Sequence, residues 1–171
     1  TKGDITHRDY KGYGGNHYIN NSGRNDIVLS KVAVDKENVY FYVQTANPIT
    51  SSTDPNWMLL LIDADNNYST GWYGYDYLIN QSVVDNTSTQ IKWYDNTKNE
   101  WVKKNVLAYK AKGNCLELAV SRKDLGLLED AFVFDFKWAD NPKELKDPIS
   151  LCTDGDTAPN RRFNYRCIWK K

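Results

Sequence analysis

Apolar and polar residues alternate along much of this chain with a period of two. In residues 38–45, NVYFYVQT, Val39, Phe41 and Val43 fall on one side and Tyr40, Tyr42 and Gln44 on the other. In residues 131–138, AFVFDFKW, one side carries Phe132, Phe134, Phe136 and Trp138. A repeat of two is the side-chain period of an extended strand with one face buried. Residues 57–62, WMLLLI, are apolar at every position, which predicts a strand covered on both faces. IVLSKVAV, YDYLIN, IKWYD, CLELAV and RFNYRCIW bring the prediction to about ten short strands.

Turn-forming clusters separate these runs: DKEN before Val39, NPITSSTDPN before Trp57, DNTKNE between Tyr94 and Trp101, and KGN before Cys115. Helical signal is confined to SRKDLGLL, with Ser121 as N-cap, Asp124 three residues on and Gly126 as a stop, and to NPKEL. Many short strands with few helices predict an all-β fold, a two-sheet antiparallel β-sandwich, jelly-roll-like, with one or two short helical turns. At 171 residues the chain is read as a single domain spanning 1–171. It begins at Thr1 with no initiator Met and no charged-then-apolar leader, so it reads as a mature or excised piece of a protein.

Charge narrows the partners. Lys+Arg and Asp+Glu balance at 22 each, so the mean field offers nothing to nucleic acid or an anionic membrane. The longest apolar run, residues 57–62, is far short of the roughly 20 residues a spanning helix needs, and membrane insertion is not expected. Cys152 and Cys167 bracket a loop and are either a disulfide or free thiols, while Cys115 faces away from Leu116, Leu118 and Val120. His7 and His17 lie far in sequence from all three cysteines and no C-x-x-C pair exists, which argues against zinc.

The densest chemistry lies in IDADNNYSTGWYGYDYLIN, residues 62–80. Asp63, Asp65 and Asn67 recur at alternate positions, and Asp76 returns on the next strand. Oxygen ligands so spaced in a tight turn converge on a hard cation such as Ca²⁺. Tyr68 stands where an EF-hand loop needs Gly, and Gly74 where it needs Glu, so this is no EF-hand. The alternative is that these side chains close the hairpin as Asx-turns. Trp72, Tyr73, Tyr75 and Tyr77 follow, and aromatic faces suit pyranose rings, whose C–H groups pack on a π-face while Asp, Asn and Arg bond the hydroxyls. Trp72 and Trp138 adjoin polar loops and are the expected exposed indoles. Arg161 and Arg162 either bond a sugar or pair with Asp154 and Asp156.

A nucleophile and base at recognisable spacing are absent, and Asp63 and Asp65 are too close on one turn to straddle a glycosidic bond, so no catalysis is expected.

GRNDIVLSKVAVDKENVYFYVQT, WMLLLIDADNNYSTGWYGYDYLIN, LELAVSRKDLGL and FDFKWADN with GDTAPNRRFNY are similar, in order, to blocks of the family 9 carbohydrate-binding-module-like (DOMON-like) β-sandwich. The chain resembles in particular the C-terminal ancillary domains of bacterial glycoside hydrolases, over residues 23–165. That resemblance implies a secreted, periplasmic or cell-surface module that binds a polysaccharide or oligosaccharide without cleaving it, often with structural Ca²⁺. It implies an adjacent glycoside hydrolase domain as partner. Family 9 modules clamp a terminal sugar between two tryptophans, which by order are Trp72 and Trp138; Tyr73, Asp140, Asn141 and Arg162 complete the expected sugar site, and Asp63, Asp65, Asn67 and Asp76 the expected metal site. The alternative is a structural domain that packs on its catalytic neighbour without binding sugar. Related sandwiches hold haem through Met and His, but nothing sets His7 or His17 opposite Met58, so neither haem nor a nucleotide is expected.

Overall fold

The computed structural model describes residues 8–171. Its elements are Arg8–Lys11 (β1), His17–Asn20 (β2), Ile27–Val34 (β3), Asn38–Thr45 (β4), Leu59–Asp63 (β5), Tyr77–Val83 (β6), Ser88–Asp95 (β7), Glu100–Lys112 (β8), Cys115–Ser121 (β9), Ala131–Asp140 (β10), Ser150–Thr153 (α1), Asp156–Ala158 (β11) and Tyr165–Lys170 (β12). The chain is nearly all β, as the period of two predicts.

All pairings are antiparallel, and the main sheet runs β11-β10-β5-β6-β7-β8-β9-β4-β3, with β12 also on β10. The long strand β8 joins two layers: its first part pairs with β7, and Tyr109 to Lys112 pair with β9. The sheet thereby folds over on itself into two facing layers. The far edges meet where the Ile27 N–H donates to Asp156 Oδ2 at 2.7 Å, leaving the layers nearly closed.

Between the layers lies the main core. Val39, Phe41 and Val43 of β4 and Leu116, Leu118 and Val120 of β9 face Leu60 and Ile62 of β5 and Phe134, Phe136 and Trp138 of β10. Phe41 meets Phe134 and Phe136 edge-on, with centroids 6.0 and 5.3 Å away. Each such side chain contributes about 1.5–3 kcal/mol through burial.

A second core lies outside the first layer. Leu59 and Leu61 of β5, Leu78 of β6 and Ala139 of β10 point outward and are covered by Trp72, Tyr75, Leu151 and Cys152, with Tyr18, Tyr94, Trp101 and Leu145 at the margin. The β1–β2 hairpin, α1 and the turn before β6 supply this cover. The run WMLLLI is apolar throughout because it has a core on each side.

Two expected helical turns are not helices. SRKDLGLL makes one turn, closed by the Leu125 N–H to the Ser121 carbonyl at 3.2 Å, and Gly126 at φ +72° ends it, with the Leu127 N–H returning to the Arg122 carbonyl at 2.9 Å. In NPKEL, Asn141 takes φ +60° at the end of β10, and the short helix forms later, at Ser150–Thr153.

Candidate functional site

Strand β5 ends by presenting Asp63, and the chain folds back before β6. Gly71 and Gly74 permit this, with φ of +65° and +97°; a Cβ on Gly71 would collide with the Tyr75 carbonyl. The Trp72 N–H donates to the Tyr75 carbonyl at 2.8 Å and the Tyr75 N–H returns a bond to Trp72 at 3.1 Å. The Asn67 N–H donates to Asp65 Oδ1 at 2.9 Å, and the Ser69 N–H donates to Asn67 Oδ1 at 3.1 Å, so Asp65 and Asn67 do form Asx-type turns. Across the turn, the Ala64 N–H donates to Asp76 Oδ2 at 2.8 Å.

This turn also gathers charge. One carboxylate oxygen each from Asp63, Asp65 and Asp76 lies within 4.8 Å of the others. Asp63 is only 8% exposed; its carboxylate accepts a hydrogen bond from the Asn66 backbone, and its buried Oδ1 has no hydrogen-bond partner among the described residues. Burial first, and then the charge of Asp76, push the Asp63 carboxyl up to about 6; burial also raises that of Asp76. A desolvated oxygen without a donor, among crowded carboxylates, is the donor chemistry a hard divalent cation neutralises. The residues fit Ca²⁺ on that ground. Asn67 offers only a neutral amide oxygen, already bonded to the Ser69 N–H, so the three aspartates are the charged donor set.

A pocket of about 400 Å³ opens beside this cluster, lined in part by Asp65, Thr70, Asp76, Tyr77, Trp93 and Tyr94. Trp93 sits opposite Tyr77 across the β6–β7 pair and is 39% exposed.

The expected sugar residues do not converge on a rim. Trp138 is fully buried: it continues the inward-facing set Phe132, Phe134, Phe136, and that alternation outweighs the polar loop after it. Trp72 is buried too, because the outward-facing leucines of β5 need a cover and its indole supplies part of one. Asp140 is fully buried, taking bonds from Arg24 Nε at 2.8 Å, Asn25 Nδ2 at 3.0 Å and the Met58 N–H at 2.9 Å. It is a structural knot between strand ends. Asn141 is half-buried and bonds Ser22; Arg162 and Tyr73 are exposed, with Tyr73 set edge-on against Trp72.

The outer face of the second layer, by contrast, is open. Strand register sets Lys31, Tyr42, Glu117 and Lys110 in one row across β3, β4, β9 and β8. The next row holds Ala33, Tyr40 and Ala119. Small side chains beside two tyrosines leave a groove of about 720 Å³, to which Ala108 also contributes. The Tyr40 hydroxyl donates to Asp35 Oδ2 at 2.7 Å, and the Tyr42 hydroxyl lies 3.0 Å from Cys115 Sγ, so both phenols are anchored to the sheet.

No protein-family model, curated protein or solved structure matches this chain. What it can bind is therefore read from its own surface chemistry.

Sequence reasoning missed the groove, although its signal was present: Tyr40 and Tyr42 fall on the polar side of NVYFYVQT, and a large aromatic there is a ring left outside. Cys152 belongs to the outer core and Cys167 packs on the inner one, so the layer separates them and both are free thiols. Met58 is buried, His17 pairs with Asp9 at 2.6 Å, and His7 lies outside the described residues. No helix among the described residues is long and apolar enough to cross a membrane.

Proposed function

We propose that this chain is a non-catalytic carbohydrate-binding module that takes a saccharide in the groove over Tyr40 and Tyr42. The observation that carries this reading is the open row in which Ala33 and Ala119 flank the anchored Tyr40, beside the row of the anchored Tyr42. C–H faces of a sugar pack on the phenols, and Lys31, Glu117 and Lys110 bond its hydroxyls. The resemblance to ancillary domains of bacterial glycoside hydrolases supports a secreted setting beside a hydrolase, where tethering raises the local polysaccharide concentration. The reading includes a structural Ca²⁺ on Asp63, Asp65 and Asp76.

A glycan array followed by affinity electrophoresis tests it. Tyr42→Ala and Tyr40→Ala are expected to weaken binding at least roughly tenfold, as loss of a central aromatic contact does. Unchanged binding in both variants would remove the groove as the site.

A second reading, a structural domain that packs on its neighbour, is favoured by one observation: Trp72 and Trp138 are sealed, while Val133 and Ile168, paired on β10 and β12, are 36% and 75% exposed. Silence across the array, with Ile168 protected from hydrogen exchange only in the full-length protein, would establish it.

A further inference from the structure

We infer that the cation held by Asp63, Asp65 and Asp76 is itself a sugar-binding element, its outward coordination positions opening into the pocket of Tyr77, Trp93 and Tyr94, where two vicinal hydroxyls of a saccharide replace its water. This rests on the Ca²⁺ reading above and is separate from the Tyr40–Tyr42 groove.

Three observations carry it. The first is the donor set: three carboxylates within 4.8 Å, one of them 8% exposed with an orphaned Oδ1. That orphan is satisfied by a cation on the inner side, where water cannot follow.

The second is a shortfall. Ca²⁺ takes six to eight oxygens, and three side chains, each already accepting a hydrogen bond, Asp76 from the Ala64 N–H, Asp65 from the Asn67 N–H and the Thr70 hydroxyl and Asp63 from the Asn66 backbone, leave positions for outside donors. Asp63 closes the inner side, whereas Asp65 is exposed and Asp76 half-buried. The vacant positions therefore face outward.

The third is what lies outward. Asp65 and Asp76 line the same pocket as Tyr77, Trp93 and Tyr94, and Thr70 beside them donates to Asp65 at 2.9 Å. A vicinal diol is a neutral bidentate oxygen donor whose carbon skeleton carries C–H groups. A hard cation next to an indole 39% exposed matches both halves of that ligand. A purely structural ion has no use for the aromatic wall.

Chelator-treated protein is titrated with CaCl2 by calorimetry, then with methyl α-mannoside, methyl β-galactoside and methyl β-xyloside in CaCl2 and in excess chelator. Tb³⁺ serves as a luminescent stand-in excited through Trp93 and the neighbouring tyrosines, its lifetime in H2O and D2O counting bound water. With the groove removed by the Tyr40→Ala/Tyr42→Ala double variant, the expected result is one cation per chain, sugar binding only with the cation, and loss of roughly two Tb³⁺-bound waters when sugar is added. Trp93→Ala should keep cation affinity within about twofold and weaken sugar at least tenfold. Asp65→Asn should weaken both. Absence of heat and of any melting shift with CaCl2 overturns the cation site altogether. In that double variant, a bound cation with all three glycosides silent, with sugar binding indifferent to chelator or to Trp93→Ala, or with an unchanged water count, overturns this inference and leaves the structural Ca²⁺ standing.

Discussion

The two layers of this sandwich share a core and treat their outer faces in opposite ways. Outside β5, β6 and β10 the chain lays its own hairpin, helix and turns, sealing Trp72, Tyr75, Leu151 and Cys152 against Leu59, Leu61, Leu78 and Ala139. Outside β3, β4, β9 and β8 nothing among the described residues is laid, and Tyr40, Tyr42, Lys31 and Glu117 remain at the surface. The difference originates in the strands. β5 is apolar on both sides and cannot face water, whereas β4 and β9 alternate and can. Aromatic residues near β5 therefore become cover, and those on β4 stay free to meet a ligand.

The sharpest way to break this contrast is to cut into the shared core. Trp138→Ala should cost about 4 kcal/mol in denaturant unfolding, because a fully buried indole leaves a cavity that strands on both sides cannot collapse to fill. A cost below about 1 kcal/mol would return Trp138 to the surface where its loop suggested it lay.

The cover can be attacked next. Lys137 is 1% exposed on the covered side of β10 and donates to the carbonyls of Pro159 and Arg161 at 2.7 Å and of Phe163 at 2.9 Å. Lys137→Met leaves those carbonyls unpaired and should cost about 2–3 kcal/mol, with faster amide exchange in residues 159–164. Equal stability would mean that the loop is held by its apolar contacts alone.

The same lysine gives the comparison a pH signature. Burial lowers its pKa from 10.5 to about 8, so above pH 8 the unfolded chain binds more protons than the folded one, and stability rises with pH. The contribution is fully present above the unfolded value and is lost as pH falls through about 8. From pH 8 to 9 the gain is about 1 kcal/mol; higher up, Cys152, whose thiol burial raises, opposes it. Melting curves at pH 8 and 9 should show the rise in the native chain and not in Lys137→Met.

The smallest effect belongs to the open face. Tyr40→Ala and Tyr42→Ala should each change stability by no more than about 0.5 kcal/mol, since neither ring is part of a core. A larger loss would show the tyrosines to be structural and weaken the groove as a binding site.

Much of this was legible in the residues. The alternation in 38–45 and 131–138 named the inner faces correctly, although Trp138, expected outside because of the polar loop after it, follows that alternation inward, and the unbroken apolar run at 57–62 announced two covers. The convergence of Asp63, Asp65 and Asp76 was likewise legible, because a turn of a dozen residues between paired strands brings its ends together whatever lies elsewhere. The placement of single rings was not: Trp72 follows a polar loop and was expected outside, and it is buried because residues 59 and 61 of another strand need a partner.

Local periodicity and turn chemistry therefore determined the strands, their faces and the acidic hairpin, since these depend on neighbours a few positions apart. Which outer face was covered, that Asp140 is a buried knot, and that alanines from three strands align beside Tyr40 were decided only when distant segments met. A side chain's exposure is set by everything packed against it, and the chain order says which way it points without saying what waits there.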